Sequence, residues 1–308
     1  MNDVVHSPLV SIVIPTYNHA KYLKLALESV VSQTFTDWEA IIVNNYSDDN
    51  TCEIVEGFLD KRIRLVNFNN NGIIAASRNQ GISESKGKWI SFLDSDDIWH
   101  PDKLERCLTY LNEKNEAAVC HGERWVNDDG YCREVEYGPE SRATYNSLLH
   151  DGNCISTSAV VVSAKALKKV NGFSEDPDIV NAEDYDLWMR LTKSGVKFVF
   201  LTDLLGDFRI HPDGNSQAII KSTNATLKVV EKHYSNINKF GLSNWIHFKR
   251  SIAVVLYGGG RGLQKQGLRI KALMLFFRSF VTYPFFIYLY IAIVMNFLPE
   301  KIRIRFDK

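Results

Sequence analysis

A chain of 308 residues is long enough to bury a sizeable core in one large domain or two smaller ones. Its 36 basic and 36 acidic residues cancel to a formal net charge of zero, which argues against the basic footprint of a nucleic-acid-binding protein. The five cysteines, Cys52, Cys107, Cys120, Cys132 and Cys154, are odd in number, widely spaced and without CxxC pairs, so neither a disulfide framework nor a zinc site is expected. A reducing cytosol suits them. Met1–Pro8 has no apolar core before a cleavage site and does not read as a secretory signal.

Along the first part of the chain, strand-like apolar runs alternate with helical patterns, the mark of a parallel sheet built from βαβ units. Val10–Ile14 reads as the first strand, followed by a helix over His19–Gln33 with Leu23, Leu27, Val30 and Val31 on one face. Trp38–Val43 is a second strand and Thr51–Leu59 a second helix. Ile63–Val66, a helix over Ile74–Ser85 and the apolar run Trp89–Leu93 follow. Polar segments then fall together: Pro15-Thr16-Tyr17-Asn18, Asn44-Asn45-Tyr46-Ser47 and Asp94-Ser95-Asp96-Asp97 each follow a predicted strand, at the edge where open α/β sheets bind ligands.

The last of these carries the most chemistry. Clustered carboxylates after a buried strand look like a site for a hard divalent cation held with substrate phosphates, although a solvated acidic turn has the same composition. An EF-hand is excluded, because Ile98 and Trp99 stand where a ligand and a glycine are required. A phosphatase-like Asp-x-Asp with Asp94 as nucleophile is the other reading of the bare pattern. Neither GxGxxG nor GxxxxGK[ST] occurs. Gly258-Gly259-Gly260-Arg261-Gly262 lies far from the alternating region and reads as a flexible joint.

Taken in order and spacing, Val10-Ser11-Ile12-Val13-Ile14-Pro15-Thr16-Tyr17-Asn18, Ser32-Gln33-Thr34, Ala76-Ser77-Arg78-Asn79-Gln80-Gly81, Phe92-Leu93-Asp94-Ser95-Asp96-Asp97-Ile98-Trp99 and Glu183-Asp184-Tyr185-Asp186-Leu187 make the chain closely resemble a family 2 glycosyltransferase from Val10 to about Ser216. The resemblance implies a GT-A fold, an α/β architecture with a Rossmann-like, mostly parallel central sheet flanked by helices. It implies a catalytic domain over 1–216, with a nucleotide-sugar half at 8–122 and an acceptor half at 123–216, and a helical region over 217–308. Pro15, Thr16 and Tyr17 would line the nucleotide base, and Arg78 would reach base or diphosphate. Asp94 and Ser95 would meet ribose or donor sugar. Asp96, with His211, would hold Mn²⁺ or Mg²⁺. Asp184 would be the catalytic base, and Glu183 would contact the acceptor or position the helix.

One departure bears on the donor. The family usually carries two aspartates where Asn44 and Asn45 stand, and Asn45 could still pair with a uracil or thymine edge through its amide. Asp48 and Asp49 read as a capping turn into the next helix. No Gln-x-x-Arg-Trp follows the acid pair, which by the same resemblance favours addition of one sugar. A UDP-sugar donor and inversion of the anomeric centre are expected.

Basic residues crowd the tail, from Lys265, Arg269, Lys271 and Arg278 to Lys301, Arg303, Arg305 and Lys308. Between them Ser279–Leu298 carries no formal charge, and an apolar, aromatic-rich segment spans 273–298. Basic flanks on both sides favour an in-plane or re-entrant anchor at the cytoplasmic face of the membrane over a full span or a helix in the protein's own core. Such an anchor suggests a lipid-linked saccharide or other glycan intermediate as acceptor and a role in polysaccharide biosynthesis. The competing expectation is a catalytically weak, nucleotide-sugar-binding membrane scaffold.

Overall fold

Val10–Thr16 is buried at every position, as a parallel strand covered on both faces must be, and it forms β1 at the heart of a nine-stranded sheet. The computed structural model describes residues 7–114, 118–210, 219–237 and 241–298. From β1 the chain continues through α1 (Ala20–Val31), β2 (Trp38–Asn44), α2 (Thr51–Gly57), β3 (Ile63–Asn67), α3 (Ile74–Glu84), β4 (Trp89–Phe92), β5 (Ile98–Trp99) and α4 (Lys103–Lys114). It then forms β6 (Ala118–Val126), β7 (Cys132–Val135), α5 (Tyr145–Asp151), β8 (Val160–Ser163), α6 (Ala164–Lys169), α7 (Glu183–Lys193) and β9 (Phe198–Arg209). The last helices are α8 (Ile219–Ser235), α9 (Leu242–Lys265), α10 (Arg269–Thr282) and α11 (Ile287–Phe297).

Strand order is β3-β2-β1-β4-β8-β6-β9-β5, with β7 paired antiparallel to the end of β6 off this path. The expected parallel pairing holds for β3-β2-β1-β4. Beyond β4 the sheet is mixed: β8 runs antiparallel to both β4 and β6, while β6 and β9 are parallel. No βαβ periodicity precedes β8, and the sequence pattern therefore does not announce this half.

Register sets the functional edge. Thr16 pairs with Asn44 and Asn44 with Asn67, so β1, β2 and β3 end level. Pro15 and Thr16 accordingly belong to the strand, paired with Val43 and Asn44, and the turn after β1 is shorter than the sequence suggests. Leu93 donates its amide to Val13 O at 3.1 Å, which delivers Asp94 to the same edge.

Helix α1 buries Leu23, Ala26, Leu27 and Val30 against the sheet, where Trp38, Ala40 and Ile42 belong to the same core. Val31 is exposed, contrary to the predicted face, because it stands about a hundred degrees around the helix from Val30, and Ser29 turns inward instead. Asp49 accepts from Ala20 N at 2.9 Å and from Thr51 N at 3.1 Å. It thus satisfies amides at the starts of both α1 and α2, the capping turn expected of it.

The chain divides into two compact units, residues 1–145 with 154–214 and residues 146–153 with 215–308. In the second, Leu256, Leu263, Ala272, Leu275, Phe276, Leu289 and Ala292 form a core among α9, α10 and α11. The glycine-rich stretch expected to be a joint lies inside the continuous helix α9. Its bare backbone lets neighbours approach: a Cβ on Gly259 would strike Thr223, and one on Gly260 would strike the Phe276 ring. Close helix packing explains these glycines better than flexibility does.

The uncharged run in the tail is also broken. Its two parts lie in α10 and α11, separated around Pro284, and among the described residues no helix is long and apolar enough to cross a membrane. At 1.5 Å per residue, the 11 residues of α11 reach only about 16 Å of a hydrocarbon core about 30 Å thick. Lys301, Arg303, Arg305 and Lys308 lie outside the described residues.

Two glycines of α9 differ in what surrounds them. Gly258 is exposed with open space around it, so Gly258→Ala should stabilise by about 0.5–1 kcal/mol through better helix propensity. Gly260→Ala should instead destabilise by about 1–3 kcal/mol, because the Phe276 ring must move. Thermal denaturation of the two variants checks this; equal stabilisation by both would restore the flexible joint.

Candidate functional site

Arg78, on α3, is the hub of the site. Its guanidinium is buried and donates through Nη1 to Glu183 Oε1 at 2.6 Å and through Nη2 to Asp94 Oδ1 at 2.7 Å. Burial alone would push its pKa down, but the Asp94 and Glu183 charges more than offset this and raise it, so the cation is secure. One side chain thereby ties the turn after β4 to the first residue of α7. Arg78 also lies over the Phe173 ring, with 5.4 Å from Cζ to the centroid, and Phe173 packs edge-on against Phe92 of β4. Asn79 fixes that support by pairing both backbone polar groups of Phe173, Nδ2 to O at 2.9 Å and Oδ1 from N at 2.8 Å.

A second set of links runs through the two hydroxyls ahead of β8. Ser158 Oγ donates to Asp97 Oδ2 at 2.6 Å and accepts from Asp94 N at 3.1 Å. Thr157 Oγ1 donates to Asp184 Oδ2 at 3.3 Å. Asp97 Oδ1 accepts from Arg209 N at 3.0 Å, and Arg209 Nε donates to Asp96 O at 3.2 Å, so the end of β9 is fastened to the acidic turn. Sequence reasoning assigned Asp97 no role of its own and did not single out these hydroxyls. The signal for Asp97 was its place in the acidic run; for Thr157 and Ser158 there was none.

Five carboxylates, Asp94, Asp96, Asp97, Glu183 and Asp184, thus gather around Arg78 and Arg209. Asp97 is pushed well up by burial, with Asp96 and Glu123 adding to it. Asp184 is raised to about 6, first by burial and then by the Glu183 charge, with Arg78 opposing. An acid poised near neutrality is suited to taking and releasing a proton.

The remaining predicted residues lie along the same edge in different states. Pro15 and Thr16 are buried, and Thr16 O accepts from Asn45 N at 3.0 Å, whereas Tyr17 is half exposed. Ser95 is buried with its Oγ 3.1 Å from His19 Nδ1, a contact that turns it toward the start of α1. Asn44 is buried, donating to Asn67 Oδ1 at 2.8 Å and accepting from Ser47 N at 3.0 Å. Asn45 Oδ1 accepts from Asn70 N at 3.0 Å, so its carbonyl is engaged and its NH₂ group is the donor it has to offer.

Metal-binding capacity rests on oxygen donors. Among the described residues no three His, Cys, Asp or Glu side chains assemble into a complete metal cage. Asp96 is half buried at the acidic turn, and a carboxylate completed by substrate phosphates is a donor set that fits Mg²⁺ or Mn²⁺. His211 lies outside the described residues.

The profile of Glycosyl transferase family 2 matches residues 11–170. Among curated proteins, the chain is 31% identical over 206 residues to the putative teichuronic acid biosynthesis glycosyltransferase TuaG of Bacillus subtilis, covering 66% of this chain and 79% of that one. It is 33% identical over 185 residues to the Escherichia coli UDP-Glc:alpha-D-GlcNAc-diphosphoundecaprenol beta-1,3-glucosyltransferase WfgD, covering 60% and 70%. Among solved structures it resembles S. aureus TarS 1-349 in complex with UDP, with TM-score 0.61, 20% identity and coverage of 94% and 88%. It also resembles the mannosyltransferase PcManGT of Pyrobaculum calidifontis in complex with GDP-Man and Mn²⁺, with TM-score 0.63, 17% identity and coverage of 89% and 76%. The mixed sheet flanked by helices is therefore a GT-A fold, and the chain belongs to glycosyl transferase family 2.

Proposed function

We propose that the protein transfers one sugar, with inversion, from a nucleotide diphosphate sugar to a hydroxyl of a lipid-linked glycan intermediate in polysaccharide biosynthesis. The observation that carries this reading is the Arg78 bridge, which holds the acidic turn of β4 beside the acid pair of α7. A donor lying across β4 would meet Asp94 and Asp96 with its diphosphate and sugar, and Asp184 on the acceptor side.

In this reading Asp184 takes the proton from the acceptor hydroxyl as that oxygen bonds to the anomeric carbon. The bond from that carbon to the diphosphate breaks on the opposite face, and an α-linked donor gives a β-linked product. Thr157 holds the Asp184 carboxylate in place, and Glu183, neutralised by Arg78, steadies the start of α7. Asn45 donates its NH₂ to a carbonyl of the base. Asp96 would hold Mn²⁺ or Mg²⁺, which when bound supplies positive charge for the departing diphosphate. The UDP bound by TarS and the Mn²⁺ in the PcManGT complex support these assignments by analogy of fold.

WfgD is named for an acceptor on diphosphoundecaprenol, and the tail of this chain suits the same location. Beside the core they share, α10, α11 and the connection between them expose Ile270, Met274, Phe277, Phe285, Val294 and Phe297. From Lys232 to Pro299 the sequence contains nine Lys or Arg and no Asp or Glu. An apolar helical surface in a wholly basic segment matches an anionic cytoplasmic leaflet, where helices lie in the plane with their apolar sides submerged.

Asp184→Asn should reduce turnover by about 10²- to 10⁴-fold while donor affinity is retained. The wild-type rate should fall as pH drops through about 6, because protonation removes the base, and the variant should lose that limb. A pH profile of both, with donor binding measured alongside, checks the role; loss of donor affinity would make Asp184 a binding residue.

Asp96→Ala should abolish metal-stimulated transfer with the fold intact, because the apolar core does not include it. Circular dichroism and an activity titration with Mn²⁺ test this. Retained metal stimulation would move the cation elsewhere.

Replacing Phe277, Phe285 and Val294 together with Ser should lower binding to vesicles containing anionic lipid at least tenfold without lowering the melting temperature, since these side chains lie outside the shared core. A parallel loss of stability would show that they complete the fold instead.

A further inference from the structure

Among the described residues, five non-glycine positions have positive φ: Asn18, Tyr46, Asn71, Asn171 and Asn181. Four are asparagine, which tolerates the left-handed region best among side-chain-bearing residues. Tyr46, at φ 53°, is the exception. A bulky residue persists in such a conformation only where its surroundings impose it.

The surroundings do impose it. Before Tyr46, Asn45 accepts from Asn70 N at 3.0 Å. After it, Ser47 Oγ donates to Asn44 Oδ1 at 2.6 Å and accepts from Asn18 N at 2.9 Å, and Asp48 N donates to Asn18 Oδ1 at 2.8 Å. With the chain pinned on both sides, any residue at position 46 must take this bend, and glycine would take it without steric strain. The tyrosine side chain gives nothing back to the fold: it is 62% exposed and, among the described residues, has no hydrogen bond, ion pair or ring contact. Its value must lie in something outside the chain.

Position identifies that partner. Tyr46 stands at the carboxyl end of β2, two strands from the acidic turn of β4, or about 10 Å at the usual strand spacing. Tyr17, also half exposed, stands between them at the end of β1. A nucleotide with its diphosphate at Asp94 and Asp96 would pass Tyr17 at the end of β1, expected to line the base, and bring that base against the end of β2. We propose that Tyr46 stacks on the base of the donor nucleotide and holds it while Asn45 reads its edge. This inference rests on the donor site proposed above. Stacking uses the π-face that every base presents, so Tyr46 contributes affinity and Asn45 contributes selectivity.

Calorimetric titration with UDP and with GDP, each with Mn²⁺, tests the assignment on the wild type, Tyr46→Phe, Tyr46→Ala and Tyr46→Gly. The nucleotide that the wild type binds should bind about tenfold more weakly to the alanine and glycine variants and within about twofold to the phenylalanine variant. Tyr46→Gly should keep or raise the melting temperature, because it relieves the left-handed strain. Unchanged affinity in Tyr46→Ala and Tyr46→Gly overturns the inference while leaving the donor site intact. So does a rise in acceptor KM alone, which would turn the ring toward the acceptor, or a fall in melting temperature in Tyr46→Gly, which would make the ring part of the fold. A wild type that binds neither nucleotide defeats the donor site itself.

Discussion

The arrangement of the site depends on burying one guanidinium between two carboxylates. Withdrawing Arg78 from water is unfavourable, and so is withdrawing Glu183, whose side chain is 7% exposed. Their mutual attraction, with Asp94 as second partner, offsets those costs only because each bond is short and the planar fork of arginine can serve two acids at once. A lysine could reach one carboxylate as a point charge but could not span both in fixed geometry. The separation between the β4 turn and α7 is thus set by a rigid side chain resting on Phe173, and every further contact, from Ser158 to Thr157, works within that spacing.

Much of this was legible because the relevant signals are local. Alternating apolar runs located β1 through β4, and the turn after each parallel strand necessarily falls at one edge. Asp49 was readable as a cap because Asp before a helix has few other uses there. Arg78 was legible as important but not as a hub: the resemblance pointed it at the nucleotide, whereas Nη1 and Nη2 are occupied by Glu183, 105 residues away, and by Asp94. Pairings at such separations leave no periodic trace.

What the sequence concealed shares a physical cause, namely burial decided by tertiary packing. Nothing in the sequence singles out Lys103 at the start of α4. It is fully buried, with Nζ bonded to Ser91 Oγ and 3.4 Å from the Trp99 ring centroid, and burial lowers its pKa to about 7. Glu123 lies inside β6, held by Tyr137 Oη at 2.6 Å, and burial pushes its carboxyl upward. Gly259 and Gly260 mislead for the same reason: glycine lowers helix propensity, but a close neighbour such as Phe276 reverses its meaning. The antiparallel half of the sheet is hidden because β8 is four residues long and follows no repeating unit.

Asp184 shows how opposing influences settle a residue's chemistry. It stands in the first turn of α7, where the helix dipole favours a carboxylate by about 0.3–1 kcal/mol, and this alone would explain an acid at that place. Burial and the adjacent Glu183 act in the other direction and raise the carboxyl from 3.8 to about 6, equivalent to about 3 kcal/mol in favour of the protonated form. Desolvation and like-charge repulsion therefore outweigh the dipole. An acid placed only to cap a helix would stay exposed and keep the dipole's benefit, whereas Asp184 is partly withdrawn from water beside another acid, against the interest of its charge. That environment makes the carboxylate more basic than an exposed aspartate and still mostly ionised at neutral pH. Arg78 limits the effect by neutralising Glu183, and the same ion pair that fixes the geometry of the site therefore also sets how basic Asp184 can be.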